Sequence, residues 1–574
     1  MLLWPVARHP GWWLWTPGAA HSDLAVTHWP NAHFTRRMLW ERGQFPLWRP
    51  TIMSGMPFAA NPLAGLYYPP NWLFLFLPWM PLEVGFNLSA LAHLWLAGAA
   101  MYALMRCGFG AGTWGALVAA VAYEASPKLL AHLGAGHVGW AQAWGWLPVV
   151  VLCWIRIGES ENQRVRGWVV GAGVALAVQF LADVRMAAYT LVAVATLALL
   201  LAIRDRRFVI YDLRFATCSF AVFLGLTACQ WFPMVALLPE TTRASMTLHD
   251  AMVWSLPWRY LFGLFLADHG GFHEWMTYAG MSTLVLAGVG AGALWRKRGE
   301  RWLVRWLVRW LVGLLVGAAW FSLGENGGLF RVLYCVVPGL GLLRVPPRAW
   351  VLVVFALAVL AGLGVEETRR QLGKGIRKLK RWKRALLLAA GAFPAMLTVG
   401  YCVLVGAPPL NLVMFGVVTP LAVVICHSQH ATRNSQLLGL AAVMIVAVDL
   451  LVVDVTLVKA RSPENVFASG RAAAEWLAAQ PGHFRVYSPS YSIPQHVAEL
   501  YELELADGVD PLQLRAYADY LTRAAGLEPQ GYSVTLPPFP EGADVRKALQ
   551  DVVPDAEMLG RLGVRYVAAA FPIL

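Results

Sequence analysis

Apolar and polar positions divide the 574-residue chain into long apolar runs separated by short polar gaps. A membrane-spanning helix needs about 20 consecutive, mainly apolar residues. Runs of that kind begin near Val84, Ala111, Trp140, Gly167, Ala187, Phe215, Tyr278, Trp306, Trp350, Ala385, Leu410 and Leu437. The pattern predicts a mainly α fold, a polytopic transmembrane bundle of about 12 helices. Beyond the last run the periodicity changes. "HFRVYS" alternates with amphipathic helical stretches, and "LGVRYVAAAF" (Leu562 to Phe571) reads as a final buried strand. Three regions result: residues 1–83 with a long first loop, a transmembrane domain over 84–458, and a small α/β domain over 459–574.

The gaps alternate in charge. Arg106; Arg156, Arg164 and Arg166; Arg204, Arg206, Arg207 and Arg214; Arg296, Lys297, Arg298 and Arg301; Arg369 to Arg384; and Arg433 occupy every second gap. Basic gaps face the cytoplasm. Residues 126–139, 182–186, 239–277 and 324–348 are then expected outside, with everything before Val84 and the tail from Lys459 onward. An outside first loop calls for a helix ahead of it. Pro5, Arg8, His9 and Pro10 break residues 1–20, which read neither as a span nor as a cleavable signal. Either a helix precedes this sequence or the segment crosses without one.

Composition agrees with a membrane protein: 58% of residues are hydrophobic and 14% charged, against roughly 25% charged in soluble domains. Mean hydropathy is +0.53. The net charge of +13 lies in clusters between apolar runs, so it reads as topology and not as a nucleic-acid surface. Seven cysteines stand singly with no CxxC pair, which indicates neither a disulfide framework nor a cysteine zinc site. In "RWLVRWLVRWLV" (Arg301 to Val312) the arginines recur every four residues, the pattern of a helix end whose side chains snorkel to headgroups. Arg369 to Arg384 reads as a topology anchor, with an anionic-lipid patch as the alternative.

Charges within the runs are sparse: Asp449 and Asp454 in the last, and Glu124 and Asp183 near boundaries. Intramembrane charge marks substrate pathways, so this distribution favours chemistry at the outer interface over transport through the bilayer. Polar groups gather at outer helix ends: Asp23, His28 and His33; His132 and His137; Asp183 and Arg185; Glu240 and Arg243; Asp268, His269, His273 and Glu274; Arg344 and Arg348. A carboxylate such as Asp23 suits proton abstraction from a hydroxyl, although an isolated loop aspartate is more often solvated or a helix cap. Arginines at headgroup depth suit a phosphate. The histidines form no HxH or HExxH pattern, and no DxD accompanies Asp23, so no obligatory metal is expected.

"SDLAVTHWPNAHFTRRMLWERGQFPLWRPTIMSGMPFAANPLAGLYYPPNWLF", "GAGHVGWAQAWGWLP", "QWFPMVALLPETTRAS", "YAGMSTLVLAG", "VVPGLGLLRVPPRAWVLVVFALAVLAGLGVE", "DGVDPLQLRAYADYL" and "LGVRYVAA" run in order from about residue 22 to 570. Together they resemble the bacterial YfhO-like family of multi-pass proteins within the GT-C-fold glycosyltransferases. The resemblance implies a plasma-membrane enzyme whose C-terminal domain is extracytoplasmic. Such an enzyme takes sugar from a polyprenyl-phosphate donor and transfers it, with inversion, to an envelope glycan, lipid or protein acceptor. It implies Asp23 as general base and Arg344, Arg348 and Arg243 as groups that stabilise the leaving phosphate. His137, Asp183 and Arg185 join them as substrate-binding candidates. Ser22-Asp23 stands where the family usually has Gly-Asp, and "ADVRMA" (Ala182 to Ala187) where relatives often have a Gly-His-Pro-Gln-like stretch. The alternatives are a transporter or flippase of lipid-linked glycans, or a catalytically silent glycan-binding scaffold.

Overall fold

The computed structural model describes residues 3–159, 165–204, 206–267, 272–295, 302–373, 435–529, 531–539 and 543–573. The runs near Ala385 and Leu410, and most of the basic stretch ending at Arg384, lie outside them, as do Asp268 and His269.

The remaining runs fold as helices: Leu82–Ala103, Thr113–Glu124, Val138–Trp144 continuing into Trp146–Glu159, Val165–Ala182, Val184–Arg204, Arg206–Leu237, Met281–Trp295, Trp302–Ser322, Trp350–Gly373 and Ser435–Leu457. Among the described residues, seven helical segments are long and apolar enough to cross a membrane. The run near Ala111 ends where the outer gap at 126–139 was expected, but its helix is too short to be one of these seven. Its helix stops at Glu124 because Pro127 starts a new one, Pro127–Gly134. A residue preceding proline disfavours helical geometry, and 12 residues rise only about 18 Å.

Trp350–Gly373 is the central helix, buried from Trp350 through Leu360. It packs against Met281–Trp295, Thr113–Glu124 and Trp302–Ser322. Within lipid, helices associate by packing and not by hydrophobicity, so small residues mark the tight contacts. A Cβ on Gly364 would fall 2.0 Å from the Leu286 carbonyl oxygen, and one on Gly290 2.2 Å from that of Leu360. These two helices therefore touch backbone to backbone. Arg309, on the arginine-repeat helix, lies over Trp295 and Trp306, so its stem is packed along aromatic surface.

The tail holds a parallel sheet ordered Glu504–Leu505, Arg485–Tyr487, Val564–Val567. The last strand is a correction to the sequence reading. It occupies a sheet edge and alternates half-buried with exposed, because only one neighbour covers it. The N-terminal segment and first loop are built into this end of the molecule. Trp13–Trp15 pairs antiparallel with Lys459–Arg461. The first loop joins the tail through backbone bonds from Met53 to Asp507, Ser54 to Leu505, and Leu505 back to Thr51. Beneath them the fully buried Arg49 donates to Thr51 Oγ1 (2.8 Å), Asn31 Oδ1 (2.6 Å) and Glu499 Oε2 (2.9 Å).

Candidate functional site

Asp23 begins a π-helical turn, Leu24–His28, yet its side chain caps nothing. Instead its Oδ2 lies 3.1 Å from His137 Nε2. Backbone contact sets this meeting: Asp23 N–H donates to the Ala135 carbonyl at 2.9 Å, and Ser22 Oγ lies near the same oxygen. Gly136 makes the approach feasible. Its φ is +90°, and a Cβ there would stand 2.2 Å from the Leu24 nitrogen and 2.4 Å from Ser22 Oγ. The Asp23 side chain is 57% exposed although protein surrounds it densely, the combination expected of a group in the wall of a cleft. Tyr491 of the tail, stacked edge-on with His21, belongs to the same surroundings.

From Asp23 a chain of polar groups runs inward. His137 Nδ1 and His132 Nδ1 are 2.7 Å apart, so one ring donates to the other. His132 Nε2 then faces Glu274 Oε2 at 3.5 Å, and both side chains are fully buried. Glu274 Oε1 accepts two bonds from Arg348, at 2.8 and 2.5 Å. His273 packs edge-on against both histidine rings. Lys128, also fully buried, donates to the Glu274 carbonyl at 2.6 Å and approaches that of His273 at 3.3 Å, clamping the turn His273–Trp275 in place.

Electrostatics follow from this geometry. Burial would raise the Asp23 carboxyl, but His137, His28 and His273 beside it hold it well below the usual range. Burial likewise opposes ionisation of Glu274, and Arg348 and Lys128 overcome it, taking the carboxyl to about 2. Burial pushes Lys128 down to about 7, His28 to about 4 and His273 to about 3, and His132 well below its ordinary value. The site therefore joins ionised carboxylates to buried imidazoles kept neutral.

The structure thus brings together Asp23, His137 and Arg348, with Asp183 close enough to act electrostatically on Arg348 and Arg185 on Asp23. Asp183 caps the helix Val184–Arg204 through the Arg185 and Met186 amides and pairs with the Arg185 guanidinium. Arg348 is engaged by Glu274. Arg243 and Arg344 form a separate group around Tyr532: Arg243 donates to the Tyr532 hydroxyl at 3.2 Å and to the Leu342 carbonyl at 2.7 Å, and Arg344 lies over the same ring. Arg243 lines a cavity of about 370 Å³ with Met246, Tyr334 and Leu342. Sequence reasoning missed Lys128. Its signal was a single lysine within the otherwise apolar "SPKLLAHLG" of an outer gap.

No protein-family model and no curated protein matches the sequence. Solved structures do match in fold. The arabinofuranosyltransferase AftD from Mycobacteria aligns with TM-score 0.50 and 18% identity, over 92% of this chain and 32% of AftD. ArnT from Cupriavidus metallidurans bound to undecaprenyl phosphate aligns with TM-score 0.46 and 16% identity, over 84% of this chain and 81% of ArnT. An oligosaccharyltransferase from Archaeoglobus fulgidus gives 0.47 at 10% identity, over 96% of this chain and 66% of that one. These neighbours are GT-C-fold glycosyltransferases. The likeness to AftD shows a GT-C-like fold, in which the mainly helical chain carries seven described segments able to cross a membrane and a C-terminal domain that contains strands.

Proposed function

We propose that this protein is a YfhO-like membrane glycosyltransferase, transferring a sugar from a polyprenyl-phosphate donor to an envelope acceptor at the outer membrane face. The observation that carries the reading is the Asp23 carboxylate: accessible, free of any capping role, and held through one oxygen by His137. Its second oxygen is left to receive the acceptor hydroxyl proton. As that hydroxyl oxygen bonds to the anomeric carbon, the carbon–oxygen bond to phosphate breaks, the configuration inverts and polyprenyl phosphate departs. A carboxylate this weakly basic takes the proton late, once the attacking oxygen has become acidic through bond formation.

Arg243 and Arg344 are the arginines that would meet the leaving phosphate, since Arg348 is neutralised by Glu274. The alternating basic gaps support placing this end of the bundle, and the tail with it, outside the plasma membrane. The test is sugar transfer in nanodiscs from radiolabelled polyprenyl-phosphate sugars to an envelope extract. Transfer by wild type and none by Asp23→Asn, with donor still bound, supports the reading. Equal transfer by both removes Asp23 from the chemistry, and donor binding without transfer by either removes the enzyme.

A further inference from the structure

His132, His137, His273 and Glu274 bring one donor atom each to within 4.8 Å of one another, from three segments: the helix Pro127–Gly134, the residue preceding Val138–Trp144, and the turn His273–Trp275. Proximity alone does not make a site. The informative observation is that His132 Nε2 and Glu274 Oε2, both fully buried, have no hydrogen-bond partner among the described residues, yet face each other at 3.5 Å. An unmet buried donor or acceptor costs about 1–3 kcal/mol, more when charged. Two such atoms aimed at one point call for something between them.

Tetrahedral zinc, with bonds of about 2.0–2.2 Å, separates neighbouring ligands by roughly 3.4 Å. That spacing matches the 3.5 Å between His132 Nε2 and Glu274 Oε2. The four donor atoms lie within 4.8 Å of one another, so closing the others on one ion requires side-chain shifts and exchanges the His137 Nδ1 contact with His132 Nδ1 for a metal bond. The outer contacts fit as well. A metal-bound histidine ordinarily gives its second nitrogen to a carboxylate, and ligating carboxylates are themselves hydrogen-bonded. His137 Nε2 meets Asp23, leaving Nδ1 on the inner side toward His132, and Glu274 Oε1 is held by Arg348.

The geometry points to a structural site for a zinc-class divalent transition ion, ligated by His132, His137, His273 and Glu274, with Asp23 as the outer partner of His137. Three imidazoles with one carboxylate suit zinc, cobalt or nickel and not magnesium or calcium, which prefer all-oxygen shells. Four protein ligands leave no open position, so the ion pins three segments and fixes the His137 ring against Asp23, without itself contacting substrate. Lys128 and Arg348 are buried cations beside the cluster: Lys128 is held by its bonds to the backbone carbonyls of the same turn and Arg348 by Glu274 Oε1. The inference is independent of the transferase reading, and its test measures no transfer.

Full-length protein without a histidine tag, in nanodiscs, is stripped with chelator, dialysed, loaded with zinc chloride and analysed by elemental mass spectrometry. Cobalt loading is followed by visible absorption. One zinc per chain and the intense visible bands of tetrahedral cobalt are expected. His132→Ala with His273→Ala removes both signals, and Asp183→Asn keeps them. Asp23→Asn alters only an accessible outer partner, so its fold is retained, and it weakens zinc binding by about 10–100-fold. Wild type that binds no more zinc than the double variant, or Asp23→Asn that binds as tightly as wild type, overturns the assignment.

Discussion

Two buried carboxylates, Glu499 at the junction of first loop and tail and Glu274 beneath Asp23, have the same exposure and differ in what their second oxygens face. Glu499 Oε2 accepts from Arg49 and Thr51, while Oε1 faces Arg37 at 3.1 Å and His33 at 3.6 Å. Oε1, like Glu274 Oε2, makes no hydrogen bond among the described residues, but it faces a guanidinium that is always charged. Glu274 has one oxygen doubly bonded to Arg348 and the other facing only an imidazole nitrogen that is itself unmatched. In a low-dielectric interior an oxygen that faces a fixed cation is compensated electrostatically, and one that faces a neutral imidazole carries an unmet cost. The junction is therefore read as a clamp that positions the first loop, and the site as a place that keeps binding capacity.

The contrast can be broken most severely at Asp23. Asp23→Asn is expected to lower sugar transfer by about 10²–10⁴-fold with the circular dichroism spectrum unchanged, because the side chain is accessible and supports no helix end. Glu499→Ala should do the reverse, acting on structure first. Leaving Arg49 and Arg37 buried without their partner costs about 3–5 kcal/mol of local stability, read as faster hydrogen exchange at residues 49–54 and 485–505. Exchange that matched wild type would end the description of Glu499 as a clamp.

Gly136→Ala sharpens the comparison between catalytic chemistry and positioning. The added methyl group must displace the Leu24 backbone, and a shift of about 1 Å at the carboxylate predicts roughly 100-fold slower transfer. Thermal stability should change far less than in Glu499→Ala.

The smallest effect is in pH. Burial pushes the Asp507 carboxyl, beside the junction, to about 7 from an ordinary 3.8. The folded state then holds a proton that the unfolded chain releases, so this stabilisation is complete at low pH and is lost as pH rises toward 7. The Asp507 contribution to tail stability should fall by on the order of 1 kcal/mol between pH 6 and 7.5, measured by hydrogen exchange as the difference between wild type and Asp507→Asn, in which the contributions of Asp510, raised to about 6, and of the histidines cancel. His496, lowered to about 4 by burial, acts in the opposite sense: the unfolded chain's imidazole still holds a proton at pH 6 and releases it across the window, so this contribution to stability rises.

Much of the helical bundle was legible because membrane helices are local objects: a run of apolar residues of bilayer length determines one without reference to the rest of the chain. The break before Pro127 was legible, since an outer gap was expected from residue 126, whereas the late start at Thr113, which leaves only 12 residues, was not. Asp23, His137 and Arg348 could be nominated as polar groups at helix ends. Their grouping could not, since Asp23 and Glu274 are linked only through side chains from a third segment.

The sequence by itself determined a multi-pass helical protein, an α/β tail and a reservoir of polar residues at the helix ends, because hydrophobic length and charge spacing are written along the chain. Tertiary structure alone decided which of those residues meet. The Gly136 contact delivers Asp23 to His137, Lys128 fixes the turn carrying Glu274, and Arg348 enters from the start of the central helix. Packing selects such long-range contacts, and no one-dimensional pattern records them.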